Sequence, residues 1–509
     1  MSNPFERADF KTELLQKWPA VFTGALLVAT LLSVLSNRRT KRFPPGPRGW
    51  PLIGNVLDIP SEYPWKVYRQ WGREFNSDII SLKLPGPPLV VLNSATVADT
   101  LLIKRSAIYS NRPRMVMLND LYVAIRADWN LALMPYGERF KGEWMSWHSA
   151  RKLFNKHVDV PYCRPQAVEA VRKFLQDLLG AGETNHQSII RLMTGRFILA
   201  AGYGIEVESA DDPYIETSET FIKSISHATQ RGAFLVDSFP IFKHVPIWFP
   251  GANFQRIAAK IRKLAHDART LPFEFTEAQV SKGAAKRSFA TRFLESARDD
   301  TSPQEVDDVR SIIGNMYIAY DSDIQTVLAM RTFVLAMSLY PEVQKKGQEA
   351  VDAALGGDRL PDFNDFGHIP YVDAIINETL RWQPPLPLSI PHSALEDDHY
   401  EGLFIPKGSI VVANICAILQ DEKVYGPNTS DFRPERFMMA DGTLNKSRSS
   451  EPAFGYGRRQ CTGKVMAKEL IWMAVTSLLS TFDIHSPKDK NGVSLKAGEV
   501  EYGPTGNLK

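Results

Sequence analysis

Cysteine is scarce in this chain of 509 residues: only Cys163, Cys416 and Cys461 occur. Three thiols cannot build a disulfide framework, which points to a reducing compartment and singles out any cysteine in an unusual setting. An excess of one charge sign is also lacking. With 60 Lys and Arg against 57 Asp and Glu, the net charge is +3, too balanced to suggest a nucleic-acid partner. No repeat recurs at a period of about 20 to 50 residues, which disfavours solenoids and propellers. None of the ten histidines falls in a metal-ligand spacing such as HExxH. What is present is a chain 44% apolar and 23% charged, able to bury a large core and unlike disordered, collagen-like or polytopic membrane sequences.

From Trp18 to Ser36 no charged residue occurs, and Val21, Phe22, Leu26, Leu27, Val28, Leu31, Leu32, Val34 and Leu35 fall within that run. At about 1.5 Å per helical residue it nearly matches a hydrocarbon core roughly 30 Å thick, so one spanning helix is the expectation. Arg38, Arg39, Lys41 and Arg42 follow with no acid among them, which places the C-terminal side in the cytosol. A cleaved signal peptide is the alternative, disfavoured because the basic cluster follows the apolar run. Then comes Phe43-Pro44-Pro45-Gly46-Pro47, which cannot extend a helix and reads as a stiff elbow.

Past Pro60, short β-rich runs such as 79–82 and 89–92 alternate with helical patterns, and helices dominate from about Val168 to Arg381. The stretches around Pro250-Gly251 and from Lys282 to Ser302 turn polar and read as surface connections. None marks a domain linker, so residues 1–43 read as an anchor segment and residues 44–509 as one catalytic body. Another β run covers 409–412, and a loop-rich stretch continues to about Gly463.

The most specific segment is Phe454-Gly455-Tyr456-Gly457-Arg458-Arg459-Gln460-Cys461-Thr462-Gly463, followed by a helical pattern from Lys464 to Leu479. Its glycines allow tight turns and close approach of a flat ligand. Cys461 just before a helix start favours a thiolate. A lone thiolate on a narrow loop suits one axial metal bond but not zinc, since no second Cys or His lies nearby. Cys163 and Cys416 lack such a setting and read as small buried hydrophobes.

This FxxGxRxCxG pattern resembles the haem-binding loop of cytochrome P450 enzymes, in which Cys461 would be the proximal thiolate. Three further stretches agree in order. Glu378-Thr379-Leu380-Arg381 matches the family's ExxR, with Phe432-Arg433-Pro434-Glu435-Arg436-Phe437 after it. The resemblance implies a buried structural network of Glu378, Arg381 and Arg436. Trp147 and Arg151 match WxxxR, with Trp144 a competitor, and would reach a haem propionate; Arg459 and His392 fall where other propionate partners lie. Phe454, Gly455 and Gly463 complete the cofactor-binding set. The proline elbow behind an anchor, with Tyr340-Pro341-Glu342-Val343-Gln344-Lys345, is similar to fungal microsomal members of secondary metabolism. The implied fold is mainly α with a small β-rich region, a P450 fold preceded by one N-terminal transmembrane helix.

The pattern from Val309 to about Leu339 would be the family's central distal helix. The usual small-Gly-x-acid-Thr-Thr stretch falls on Asp321-Ser322-Asp323-Ile324-Gln325-Thr326. Ser322 replaces the glycine, Ile324 holds the acid's place and Gln325 the principal alcohol's. Asp323 and Thr326, at i and i+3, could form a displaced acid and alcohol pair for proton delivery. Two aspartates in an apolar helix centre need a reason; besides chemistry, Asp321 or Asp323 could cap a kink or contact water.

The resemblance implies a haem b (iron protoporphyrin IX) monooxygenase at the endoplasmic reticulum membrane, inserting one oxygen atom from O₂ into an apolar, terpenoid-like molecule. Electrons would come from NADPH through a separate cytochrome P450 reductase, with cytochrome b5 as an auxiliary donor; no GxGxxG follows a strand here. Lys152 and Lys464 are candidates for the docking face, against solvated surface lysines. Pocket walls by family position would include Met115 to Ala127 and Leu386 to Ile390. The alternatives are a family member that rearranges or dehydrates its substrate without NADPH, and a haem-binding protein without turnover.

Overall fold

The computed structural model describes residues 42–121, 129–136, 160–181, 186–229, 234–297, 301–320 and 326–486. The apolar run 18–36 lies outside them, and no helix among the described residues is long and apolar enough to cross a membrane.

Three apolar runs and one short polar strand form one sheet in the order β1-β2-β6-β3. β1 (Ile79–Leu82) pairs antiparallel with β2 (Leu89–Leu92), which pairs parallel with β6 (Ile410–Ala413), and β3 (His392–Ser393) adds antiparallel to β6 with His392 opposite Val411. All four strands are buried along their whole length, which is why β1, β2 and β6 read as largely apolar runs and not as alternation. β4 (Asp398–Tyr400) and β5 (Leu403–Ile405) make a separate hairpin.

The elbow is stitched to this sheet. Ser81 donates its amide to the Pro45 carbonyl at 2.8 Å and its hydroxyl to the Pro44 carbonyl at 2.6 Å, and the Phe404 amide donates to the Arg42 carbonyl. A Cβ on Gly46 would lie 2.0 Å from the Ser81 carbonyl oxygen, so only glycine allows this approach.

The helical body comprises α1 (Pro64–Glu74), α2 (Arg164–Ala181), α3 (His186–Tyr203), α4 (Pro213–Thr229), α5 (Asn253–Ser281), α6 (Phe289–Ser296), α7 (Pro303–Tyr320), α8 (Thr326–Leu339), α9 (Pro341–Leu355), α10 (Pro370–Trp382) and α11 (Lys464–Thr481). α6 corrects the reading of 282–302 as surface connection. Ser288 caps it through the Thr291 amide, and Phe289 and Phe293 bury in the main core, which two aromatics among polar neighbours did not reveal. α11 is buried nearly all round, the pattern of a central helix.

α10 carries a buried charge cluster. Glu378 and Arg381 are both fully buried and form a two-pronged pair: Arg381 Nε donates to Oε2 at 2.6 Å and Nη2 to Oε1 at 2.9 Å. Arg436 Nε also donates to Oε1, at 3.0 Å, as does the Arg433 amide, at 2.7 Å. One carboxylate thus serves two guanidinium groups. Their remaining protons go to carbonyls of Leu419 and Thr429 from Arg381, and of Tyr425 and Asn428 from Arg436. Burial pushes the Arg436 guanidinium below its ordinary pKa even beside Glu378. Removing one partner strands charge in the interior. Arg381→Ala should therefore destabilise the chain by about 3–5 kcal/mol, read as a lower denaturant midpoint.

In the first turn of α10, burial raises the Asp373 carboxyl to about 6, with only Lys468 opposing. Because the folded value lies above the unfolded one, stability is fully present at acid pH and falls as pH climbs from about 4 to about 6. Asp373→Asn should remove that slope and stabilise the chain by roughly 1–3 kcal/mol at neutral pH, which denaturation at a series of pH values would measure.

Candidate functional site

The cysteine loop is shaped by its glycines and by the helix that follows it. Gly455 and Gly457 have φ of +78° and +57°, the left-handed region that favours glycine. At Gly457 a Cβ would also lie 2.1 Å from the Leu102 carbonyl oxygen, because the loop rests against residues 99–104. Gly463 differs: its φ of −79° suits any residue, so what its missing side chain contributes is space. The Cys461 amide donates to the Phe454 carbonyl at 2.8 Å and closes the loop over the buried Phe454 ring.

Cys461 is partly buried and three residues ahead of α11. Burial raises its thiol pKa, and the amides of Gly463 and Lys464, with the Lys464 charge, lower it less. Burial and the helix start thus act on this thiol in opposite directions, the amides of Gly463 and Lys464 favouring the thiolate as expected. Among the described residues no group of three His, Cys, Asp or Glu could hold a metal ion by itself.

Beside the loop lies a buried basic cluster. Arg459 donates to the carbonyls of Ser110, Leu131 and Met134 at 2.8, 2.9 and 2.7 Å. Arg112, absent from the sequence reading, donates to the carbonyls of Ala132, Ile390 and Pro391 at 2.7, 3.0 and 2.9 Å, and pairs with no carboxylate among the described residues. His392 is buried on β3 between them and bonds the Tyr109 carbonyl. Burial and the Arg459 charge push Arg112 well below its ordinary pKa; burial, then Arg112 and Arg459, do the same to His392; burial takes Arg459 to about 9. Three basic side chains gathered in a buried cluster, bonded to backbone carbonyls, suit anionic groups. Together with one thiol on a glycine-rich loop, this donor set fits a haem, whose iron takes a thiolate and whose propionates are carboxylates.

The segment 129–136 straps this cluster to α7. Asn315 on α7 donates to the Trp129 carbonyl at 2.7 Å and accepts from the Leu131 amide at 2.9 Å, and Arg458 donates to the Tyr136 hydroxyl. Trp147, Arg151 and Lys152 lie outside the described residues. So do Asp321, Asp323 and Gln325. Thr326 opens α8 and is buried. Phe454, Gly455, Arg459, Cys461 and Gly463 come together, His392 joins them through the sheet, and Glu378, Arg381 and Arg436 lie behind the loop: the Ser450 hydroxyl donates to Asn377 on α10 at 2.8 Å. Lys464 is not a free surface lysine. It and Lys468 donate to Glu451 at 2.7 and 2.6 Å; burial alone would raise the Glu451 carboxyl, but the two ammonium groups hold it below its ordinary value.

Comparison with known proteins agrees with this geometry. The sequence model of the cytochrome P450 family matches residues 44–500. The chain is 42% identical over 483 residues to the cytochrome P450 monooxygenase eriA of Hericium erinaceus, covering 94% of this chain and 89% of the relative. It is 39% identical to the cytochrome P450 monooxygenase ple1 of Rhodocybe pseudopiperita, covering 90% and 86%. It is 35% identical to a tryptamine 4-monooxygenase of Psilocybe cyanescens, covering 93% and 92%. A single thiol on a glycine loop, a buried basic pocket beside it and a match along nearly the whole body lead to one conclusion: this chain belongs to the cytochrome P450 family and is a P450 monooxygenase.

Proposed function

We propose that residues 44–509 form a haem-thiolate catalytic domain that inserts one oxygen atom from O₂ into an apolar, terpenoid-like small molecule. The observation that carries this reading is the Cys461 loop set against the Arg112, His392 and Arg459 cluster. Haem b, when bound, supplies the activation of dioxygen. Cys461 would ligate its iron, and His392, Arg459, Arg112, Trp147 and Arg151 would hold its propionates. Thr326, with Asp323, Asp321 and Gln325 just before it in sequence, would deliver protons for the reaction.

Electrons come from NADPH through a cytochrome P450 reductase, with cytochrome b5 as an auxiliary donor. Since Glu451 offsets Lys464 and Lys468, less positive charge is offered to that partner near the loop than two free lysines would provide. Attachment to the endoplasmic reticulum membrane rests on the apolar run 18–36. It is supported by exposed apolar side chains just after it, Trp50, Leu52 and Leu57, and in a second stretch, Phe239, Ile241 and Trp248.

Cys461→Ser should abolish the reduced carbon-monoxide difference band that marks thiolate ligation; survival of that band would overturn the reading. Metabolite profiles of a host with and without the chain identify the substrate. Terpenoid extracts and tryptamine, the compound in one relative's name, serve as the two probe sets. Combining Thr326→Ala with Asp323→Asn should raise the peroxide released per NADPH oxidised, and unchanged tight coupling would remove both residues from proton delivery.

A further inference from the structure

His392 has more behind it than an anion partner by itself requires. Its Nδ1 lies 2.7 Å from the Tyr109 carbonyl oxygen. A carbonyl only accepts, so Nδ1 carries the hydrogen and the neutral ring shows a bare lone pair at Nε2. Tyr109 is held in place in turn. It is fully buried, its hydroxyl donates to Asp398 Oδ2 at 2.8 Å, and Arg105 Nη1 donates to both oxygens of Asp398 at 2.9 and 2.8 Å. The Leu395 amide donates to the Ile108 carbonyl at 2.9 Å and joins the two segments alongside. The ring cannot flip its tautomer without setting a lone pair against that carbonyl.

A propionate is also only an acceptor. Set opposite Nε2, it would meet a second lone pair. We infer that Tyr109 is a positioning residue that fixes the tautomer of His392, and that His392 holds a propionate only after Nε2 takes up one proton, so that haem retention is proton-linked. The inference rests on the propionate reading above. The balance is simple: one proton leaves solvent, one Nε2–H bond forms, and an imidazolium of charge +1 faces a carboxylate of charge −1. No electron moves.

The charged groups that face the ring among the described residues are Arg112 and Arg459, both cations. Burial and these two neighbours oppose protonation in the absence of an anion, and the Tyr109 carbonyl favours it less. An arriving carboxylate reverses that balance. Affinity for the cofactor then weakens as pH rises through the pKa of the loaded ring, since the proton is bound in the loaded state and not in the empty one.

The test uses the purified holoenzyme and follows transfer of haem to excess apomyoglobin between about pH 6.5 and 9, around the ordinary imidazole pKa and above it. The wild-type rate should climb with pH by up to about tenfold per unit. His392→Arg, a permanent cation, should lose haem slowly at every pH. His392→Gln, a neutral donor, should lose it faster than the wild type does at the acid end, with no slope. A flat wild-type profile, or a slope that persists in His392→Arg, overturns the proton linkage while leaving the propionate contact standing. A His392→Gln protein as retentive as the wild type at the acid end overturns the need for charge. Identical rates in all three proteins overturn the contact itself. The wild-type profile alone is decisive if a variant fails to fold.

Discussion

One carboxylate organises the region behind the active-site loop. Glu378 accepts from Arg381, Arg436 and the Arg433 amide, and the two arginines spend their other protons on carbonyls between residues 419 and 431. That stretch has almost no regular structure to satisfy its own carbonyls, so the guanidinium groups do what a sheet or helix would otherwise do. The cluster need not add net stability over an apolar core of the same volume. What it does is fix one path for a loop that lies between α10 and the cysteine segment.

The second constraint is electrostatic. Arg112, His392 and Arg459 come from three distant parts of the chain and meet with carbonyl oxygens around them. Such an arrangement gathers positive charge in a buried place, and an anionic ligand would match it. Burial likewise raises the thiol of Cys461 and lowers His392, shifts that a bound cation and a bound anion would each oppose.

The sequence revealed the parts of this arrangement that are local. The runs at 79–82 and 89–92 are apolar on both faces because both faces are covered, and Gly455 and Gly457 sit where the backbone needs positive φ. Glu378 and Arg381 share a helical face by spacing alone. Arg112 left no such trace. In Asn111-Arg112-Pro113 nothing is periodic, and its acceptors at Ile390 and Pro391 lie 278 and 279 positions away. Helix 289–296 was hidden because its polar flanks resemble a linker, and the burial of the Cys461 thiol because it depends on neighbours remote in the chain.

The seam between residues 42–46 and the sheet has a mechanical meaning. Bonds to Ser81 on β1 and Phe404 on β5 tie the lead, residues 42–45, to the body. Any tension or torque arriving along the lead enters the edge of the sheet directly, and β2 and β6 carry it in register to the strand bearing His392. Gly46 lets the backbone lie close enough for the join to act as a weld instead of a swivel, so the path of residues 42–46 and the sheet that carries His392 are held together.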